Sequence, residues 1–241
     1  MTHKAFAKLF SGISAFVICS AAAMAQQAND KVPVNPIGVG AAWSANVDGA
    51  SVTGRSFDDN ELALIEQINT YFNEMWHLQG RFVQTDWQNQ RMKGRFFVRR
   101  PGRFRFIYSP PSKLVILSDG RLLSIEDYAT EDVERYPLSS TPFRLLLGRD
   151  VNLLRDARIV DLYDNDEVAS ITLEDKSGDA TGRIKLSFSK DEGFELSEWT
   201  ITDAQGLNTR IQVADLVLGQ KADPNLFRAS KIGLPGVESN R

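Results

Sequence analysis

The spacing of the hydrophobic residues changes once along this chain, near residue 77. Upstream of that point six apolar residues recur mostly three or four positions apart: Leu62, Ile65, Ile68, Phe72, Met75 and Trp76. Asp58, Asp59 and Glu61 place carboxylates where the N-terminal end of a helix favours negative charge. The pattern predicts an amphipathic helix that begins near Asp58 and rests one face on an apolar surface.

From Leu78 onward apolar positions alternate with polar ones, as they do in half-buried strands. The segments 103–108 and 183–188 each place three large apolar side chains on one strand face. Turn-forming residues separate the strands at 118–120, 164–166, 176–179, 191–193 and 203–206. Because no crossover-helix pattern lies between these turns, we expect a meander of antiparallel hairpins.

One segment inside the strand region has helical features instead. Ser140 or Thr141 can cap a helix, Pro142 suits its first position, and Gly148 stands just past its end. The chain thus offers one large sheet and two short helical pieces, which is too little helix for a full second layer. The sheet must therefore curl, and the helices must cover its concave side.

The first 25 residues have the order of a secretory signal: two lysines, an apolar run over 9–23, and small residues at 23 and 25. A membrane anchor is the alternative, but the run falls short of the roughly 20 residues that a span needs. We expect cleavage after Ala25. Cys19 follows Ile18, where a lipoprotein signal needs a small residue, so we expect it to be removed with the leader.

Composition divides the remaining chain. Residues 26–57 show no sustained period and are rich in glycine, alanine, asparagine and proline, which predicts a flexible arm. The patterned domain spans 58–230, and 231–241 form a C-terminal tail. Without the leader's two lysines, 26 basic residues face 31 acidic ones, a net charge of −5. Such a balance argues against a nucleic-acid partner.

Residues suited to catalysis or metal binding are sparse. His77 is the one histidine after the leader, and neither a nucleophile elbow nor a metal-ligand spacing occurs in the sequence. Asp164, Asp166 and Asp175 imitate part of a calcium loop, but a hairpin turn explains them better. We therefore expect no enzyme, no metal site and no cofactor, with an exported esterase as the alternative from another class.

Several motifs together carry a family resemblance. Residues 94–110, which read GRFFVRRPGRFRFIYSP, precede Ser118-Asp119-Gly120 and Thr141-Pro142-Phe143, with weaker matches at 78–84 and 223–227. In this order they resemble the LolA family of outer-membrane lipoprotein carriers, over about residues 58–235. The resemblance implies an unclosed antiparallel β-barrel, or half-barrel, whose apolar concave face is covered by a lid of short helices.

The resemblance also implies a periplasmic, monomeric carrier without cofactor. Its cargo would be acylated lipoproteins, received from an inner-membrane ABC-type lipoprotein-releasing complex and passed to an outer-membrane lipoprotein acceptor. A carrier or sensor of free lipid or glycolipid on the same fold stays an alternative. Leu122 to Ile125 depart from the family, which often has aromatic residues there.

Residue by residue, the family's arginine before proline falls on Arg100, which would bond the lid backbone and hold the empty carrier shut. A solvated face is its alternative, because residues 91–105 hold seven basic and no acidic side chains. By the same resemblance, Phe104 would lie near the mouth of the cavity, where the family meets its cargo, and Phe143 would lie in the lid. The expected lipid-binding residues, for which an ordinary core is the alternative, are Phe82, Phe96, Phe104, Phe106, Tyr108, Leu114, Ile116 and Phe143.

Export gives a first testable prediction. Periplasmic material should have the intact mass of a chain that begins at Gln26 without an acyl addition, because the cleavage site precedes that residue. Mass spectrometry measures this directly, with the cytoplasmic precursor as the control. A mature protein that retains a lipidated Cys19 would contradict the prediction.

Overall fold

A computed structural model describes residues 56–191 and 193–230. The predicted leader, most of the predicted arm and the predicted tail at 231–241 lie outside the described residues. Three α-helices are present there, α1 (Asp59–Glu74), α2 (Arg144–Leu147) and α3 (Leu153–Asp156), with 3-10 turns at Leu138–Ser140 and Pro224–Phe227.

Eleven strands make up the rest of the regular structure. They are β1 (His77–Thr85), β2 (Arg91–Arg99), β3 (Arg103–Tyr108), β4 (Leu114–Asp119), β5 (Leu122–Asp127), β6 (Asp132–Pro137), β7 (Ala157–Asp164), β8 (Val168–Asp175), β9 (Arg183–Ser189), β10 (Glu195–Thr202) and β11 (Asn208–Leu218).

The strands form one antiparallel sheet in the order β6-β5-β4-β3-β2-β1-β11-β10-β9-β8-β7. The chain runs outward from β1 to one edge, crosses to the other edge and returns to pair β11 with β1. Within the described residues β6 and β7 each have one neighbour, so the sheet is not closed. The predicted unclosed, mainly β architecture is confirmed. We call the connection between the two edges, residues 138–156, the lid segment.

Helix α1 forms where the hydrophobic spacing predicts it. Asp58 accepts a hydrogen bond from the Glu61 amide at 2.8 Å, and Glu61 accepts one from the Asp58 amide at 3.1 Å, which closes a capping box. Leu64, Ile65 and Ile68 are buried among the inward side chains of the strands. The face is rotated slightly from the prediction, since Leu62 and Trp76 are exposed.

The lid segment differs from the single capped helix predicted over 140–148. Helix α2 spans only Arg144–Leu147, and its N-cap is Phe143, with no capping side chain among the described residues. The Thr141 hydroxyl instead donates backward to the Leu138 carbonyl at 2.8 Å, so it closes the preceding turn. A second short helix, α3, was not predicted; Asn152 caps it by accepting from the Arg155 amide at 3.0 Å.

The C-terminal segment lies on the outer face of the sheet. Phe227 is buried there, and Arg105 donates from Nη1 to the Leu226 carbonyl at 3.0 Å. The buried carboxylate of Glu126 accepts from the Ser230 amide at 2.9 Å. These contacts cover part of the outer face near β3 to β5.

Within the described residues, no helix is both long and apolar enough to cross a membrane.

Gly94 on β2 provides a stability prediction. A Cβ atom there would lie 2.2 Å from the Ile107 carbonyl oxygen and 2.7 Å from the Phe82 ring. Overpacking of this kind costs about 1–3 kcal/mol, which exceeds the roughly 0.4–1 kcal/mol that alanine gains by restricting the unfolded chain. Gly94→Ala should therefore lower the free energy of unfolding, measured in urea. Lys93→Ala, on the exposed face of the same strand, should change it by less than about 0.5 kcal/mol; equal losses would contradict the packing argument.

Candidate functional site

An apolar cavity lies between the concave face of the sheet, α1 and the lid segment. Strands β1 to β3 line it on one side and β9 and β10 on the other, and its volume is about 50 Å³. Its lining residues are Phe72, Met75, Leu78, Phe96, Val98, Phe104, Phe106, Phe143, Leu146, Leu147, Ile184, Leu186, Leu196 and Trp199.

Strand alternation directs these side chains inward. On β3 the even positions Phe104 and Phe106 are buried while Arg103 is exposed, as the two-residue period requires. Phe106 stacks on Phe96 with ring centroids 5.4 Å apart and meets Trp199 edge-on at 6.0 Å. Such aromatic pairs add to the stabilisation that burial gives. The interior is therefore an aromatic cluster drawn from both halves of the sheet.

One aromatic contact joins the sheet to the lid segment. The rings of Phe104 and Phe143 are tilted, with centroids 5.3 Å apart. Leu146 and Leu147 of α2 are buried beside them and line the same cavity. The underside of the lid segment is thus apolar.

The structure separates the expected lipid-binding residues into two groups. Phe96, Phe104, Phe106 and Phe143 line the cavity. The other four, Phe82, Tyr108, Ile116 and Leu114, belong to or pack against the same hydrophobic core without lining the cavity.

The second group lies farther along the strands from Arg100. Phe82 contacts Phe106 and Tyr108 with ring centroids 5.1 and 5.0 Å apart, and the Tyr108 hydroxyl donates to Gln84 at 2.6 Å. Burial raises the pKa of Tyr108, so its hydroxyl keeps its proton. These residues fill the interior at the end of the strands away from Arg100.

Several lining residues were not predicted. Ile184 and Leu186 alternate clearly, yet nothing local to β9 shows that it lies across the cavity from β3. Leu196 and Trp199 are three positions apart because a bulge shifts the β10 register between Leu196 and Glu198. This break hides both residues from a search for two-residue alternation.

Trp199 lines the cavity through the apolar part of its ring. Its indole nitrogen is buried and has no hydrogen-bond partner among the described residues. A buried donor left unpaired costs free energy.

Arg100 fastens the lid segment to the sheet. It follows β2 and is buried, with 3 % of its surface exposed. Its guanidinium donates to the Gly148 carbonyl from Nε at 3.0 Å and from Nη2 at 2.6 Å, and to the Arg149 carbonyl at 3.2 Å. Hydrogen bonds from a charged donor are the stronger kind.

Two features complete the surroundings of Arg100. The Trp76 ring covers the guanidinium, with 5.6 Å between its centroid and Cζ. Burial lowers the pKa of Arg100, and the Asp150 carboxylate partly opposes that shift. Arginine nonetheless keeps its charge at neutral pH. The closed lid segment therefore encloses a cation.

Two asparagines of α1 bind the same segment. Asn73 accepts from the Val151 amide and donates to the Val151 carbonyl, both at 2.9 Å, while Asn69 accepts from the Leu153 amide at 3.0 Å. Asn73 also accepts from Arg100 at 3.3 Å. Neither asparagine was predicted; the available signal was Asn69 on the buried face of an amphipathic helix.

The turn after β2 adds a backbone contact to this attachment. The Gly102 amide donates to the Leu147 carbonyl at 2.8 Å. Gly102 has a φ of 69°, a conformation that glycine adopts without strain. Lid backbone from 147 to 153 is thus held through its polar groups.

The cavity in this conformation is small, below the usual range for ligand sites. An engineered cavity of about 150 Å³ admits benzene, and the present cavity of about 50 Å³ is smaller. A long acyl chain cannot enter without movement of the lid segment or rearrangement of the aromatic cluster.

Comparison with known proteins agrees with this architecture. The family described as "Outer membrane lipoprotein carrier protein LolA" matches residues 73–230, more than half of the chain. An outer-membrane lipoprotein carrier protein of Methylococcus capsulatus is 32 % identical over 156 residues, which are 63 % of this chain and 74 % of the relative. Another, from Halorhodospira halophila, is 25 % identical over 173 residues, 68 % of this chain and 80 % of the relative.

Among solved structures, a LolA superfamily protein from Nitrosomonas europaea aligns with a TM-score of 0.39 and 11 % identity, over 68 % of this chain and 97 % of that one. The matched region contains the unclosed sheet and most of the apolar interior beneath the short helices. On the strength of this family match, the chain belongs to the LolA family of outer membrane lipoprotein carrier proteins.

Proposed function

We propose that this protein carries lipoproteins through the periplasm by sheltering their acyl chains in the cavity. It would take them from the inner membrane and deliver them to the outer membrane. The observation that carries the proposal is an interior lined by apolar side chains beneath a segment held by polar contacts to its backbone. Family membership supports the same role.

The physical need for such a carrier follows from hydration. Exposing one methylene group to water costs about 0.8 kcal/mol, so an acyl chain with about 15 of them loses roughly 12 kcal/mol on leaving a membrane. A carrier has to offset most of that loss and still release the chain. Non-directional apolar contacts to an aromatic cluster suit this requirement better than the contacts of a rigid pocket that fits its ligand closely.

Opening exchanges one set of contacts for another. As the lid segment moves, Arg100, Asn69 and Asn73 lose their bonds to its backbone, and all of these groups can bond to water instead. The contact between Phe104 and Phe143 separates, and an acyl chain takes its place. The empty carrier closes because no such chain compensates for the exposed apolar surface.

Handover follows competition: an inner-membrane ABC-type complex supplies the cargo, and an outer-membrane acceptor with a larger apolar surface removes it. No covalent step is needed.

The direct test is mass spectrometry of material that co-purifies with the protein from the periplasm. Acylated peptides or whole lipoproteins should be recovered at a higher level than from a Phe106→Gln variant. Recovery of free phospholipid or glycolipid alone would contradict a lipoprotein cargo while leaving a lipid carrier.

Neighbouring positions on β3 provide a matched test of the cavity. Phe106 lines it, and Ile107 faces the opposite side of the strand. Phe106→Gln should weaken binding of an uncharged apolar dye such as N-phenylnaphthylamine several-fold, because the glutamine amide must be desolvated in the cavity. Ile107→Gln should leave dye affinity nearly unchanged. Dye fluorescence titration measures both variants, after circular dichroism has shown that each is folded; equal effects would contradict the two-faced assignment.

Arg100 provides a test of the lid. Arg100→Leu removes charge-assisted hydrogen bonds worth about 1.5–3 kcal/mol each from the closed state. The population of the open state therefore rises. The variant should accept acylated cargo yet hold it longer, and Arg100→Lys should be intermediate because lysine lacks the planar fork. Transfer of radiolabelled lipoprotein between membrane fractions measures the delay. The control is Arg95→Leu, the same change on the exposed face of β2; equal delays in both variants would refute the latch.

A further inference from the structure

A second cleft lies outside the apolar cavity, where the turns after β2 and β4 meet the lid segment. Its volume is about 410 Å³, within the range of roughly 300–1,000 Å³ that is usual for ligand sites. The residues that line it are Arg99, Arg100, Pro101, Arg103, Asp119, Gly120, Arg121 and Arg149. Five of these eight are arginines, so the cleft is strongly basic in a chain whose net charge is negative.

The acidic groups near the cleft do not balance this charge. Asp119 is the carboxylate in the lining, and its Oδ1 already accepts from the Arg121 and Leu122 amides at 2.8 and 2.9 Å. Asp150 acts on Arg100 at longer range, but its carboxylate pairs with Arg155 at 2.9 Å. The cleft therefore keeps an excess of positive charge.

The strand register brings two of these positive charges close together. Arg99 and Arg103 are directly opposite each other on β2 and β3. Like charges in that position destabilise an antiparallel pair. An anion held between the two side chains would turn their repulsion into attraction.

Arg100 supplies the most specific observation. Arg100 is among the residues that line the cleft, and its Nη1 is buried and finds no hydrogen-bond acceptor in the described part of the chain. Nε and Nη2 of the same guanidinium are already engaged by the lid carbonyls. A buried, charged donor without an acceptor is costly, and a ligand oxygen would satisfy it.

From these observations we propose that the arginine cleft is a binding site for a phosphate group, as found in a phospholipid headgroup or in free phosphate. A phosphate has several acceptor oxygens and matches the forked geometry of guanidinium donors. Several arginines around one cleft suit this tetrahedral anion better than a single planar carboxylate.

The site also links the anion to the lid. Arg149 belongs to the lid segment, whereas Arg99, Arg103 and Arg121 belong to the sheet or its turns. Their mutual repulsion opposes closure, and a phosphate between them reverses that effect. Phosphate should therefore favour the closed carrier and speed the departure of acyl chains. This second step rests on the proposed carrier function, whereas phosphate binding itself does not.

The test is direct binding to the purified, full-length mature protein without cargo. Inorganic phosphate and glycerophosphoglycerol are titrated by calorimetry, and vesicles of phosphatidylcholine with or without phosphatidylglycerol are used in flotation. Arg103→Gln with Arg121→Gln should weaken binding roughly tenfold or more, the effect of losing about one charge-assisted bond. Arg91→Gln with Arg95→Gln, the same charge change on the exposed face of β2, should weaken it far less.

The outcomes distinguish a lipid headgroup from free phosphate as the source of the phosphate group, and the phosphate site from the proposed carrier function. Binding of glycerophosphoglycerol and of anionic vesicles identifies a lipid headgroup, and binding of inorganic phosphate alone identifies free phosphate. No binding of any probe, or equal losses in the two double variants, overturns the site. Release of N-phenylnaphthylamine is followed in parallel: if phosphate binds and leaves dye release unchanged, the link to the lid is wrong. A protein that binds phosphate and no apolar dye would refute the carrier and leave the phosphate site standing.

Discussion

A curled antiparallel sheet must keep its apolar concave face away from water, and in this protein little helix is available for that purpose. Helix α1 covers part of the face through Leu64, Ile65 and Ile68, and the lid segment covers the remainder through Leu146 and Leu147. Because β6 and β7 do not pair with each other in the described sheet, the connection between them is free to cross the concave side. The position of the site follows from this arrangement.

The lid segment is held by two kinds of contact with different consequences. Its apolar underside stabilises the closed arrangement through apolar contacts. In the proposed function, an acyl chain would replace them with apolar contacts of similar strength. Its polar contacts, from Arg100, Asn69 and Asn73, are directional and require the backbone carbonyls and amides of 148–153 in one place. In the proposed function the apolar contacts would be exchanged for cargo, while the polar ones define the closed arrangement of the lid segment.

Much of the fold could be predicted from the sequence because the signals were local. The spacing from Leu62 to Met75 predicted α1, and turn residues such as Gly120 and Gly206 lie where strands end. The strand order could not be predicted, since the pairing of β1 with β11 joins distant segments. Ile184 and Leu186 were missed for that reason, and Leu196 and Trp199 because the bulge in β10 breaks their alternation. The lid contact of Arg100 was expected only from the family resemblance, because its own surroundings in the sequence are those of a solvated basic run.

In the proposed function, the collapsed interior has a part in the release of cargo. In the closed state Phe96, Phe106 and Trp199 pack against one another and leave about 50 Å³, so an entering chain must first displace contacts that the protein makes with itself. Net affinity is the difference between cargo contacts and these internal ones, well below the roughly 12 kcal/mol of hydration cost that the chain avoids. A carrier of this kind would therefore have its aromatic cluster compete with cargo for the cavity. A carrier whose empty cavity stayed open would lack this competitor and would bind more tightly, at the expense of delivery.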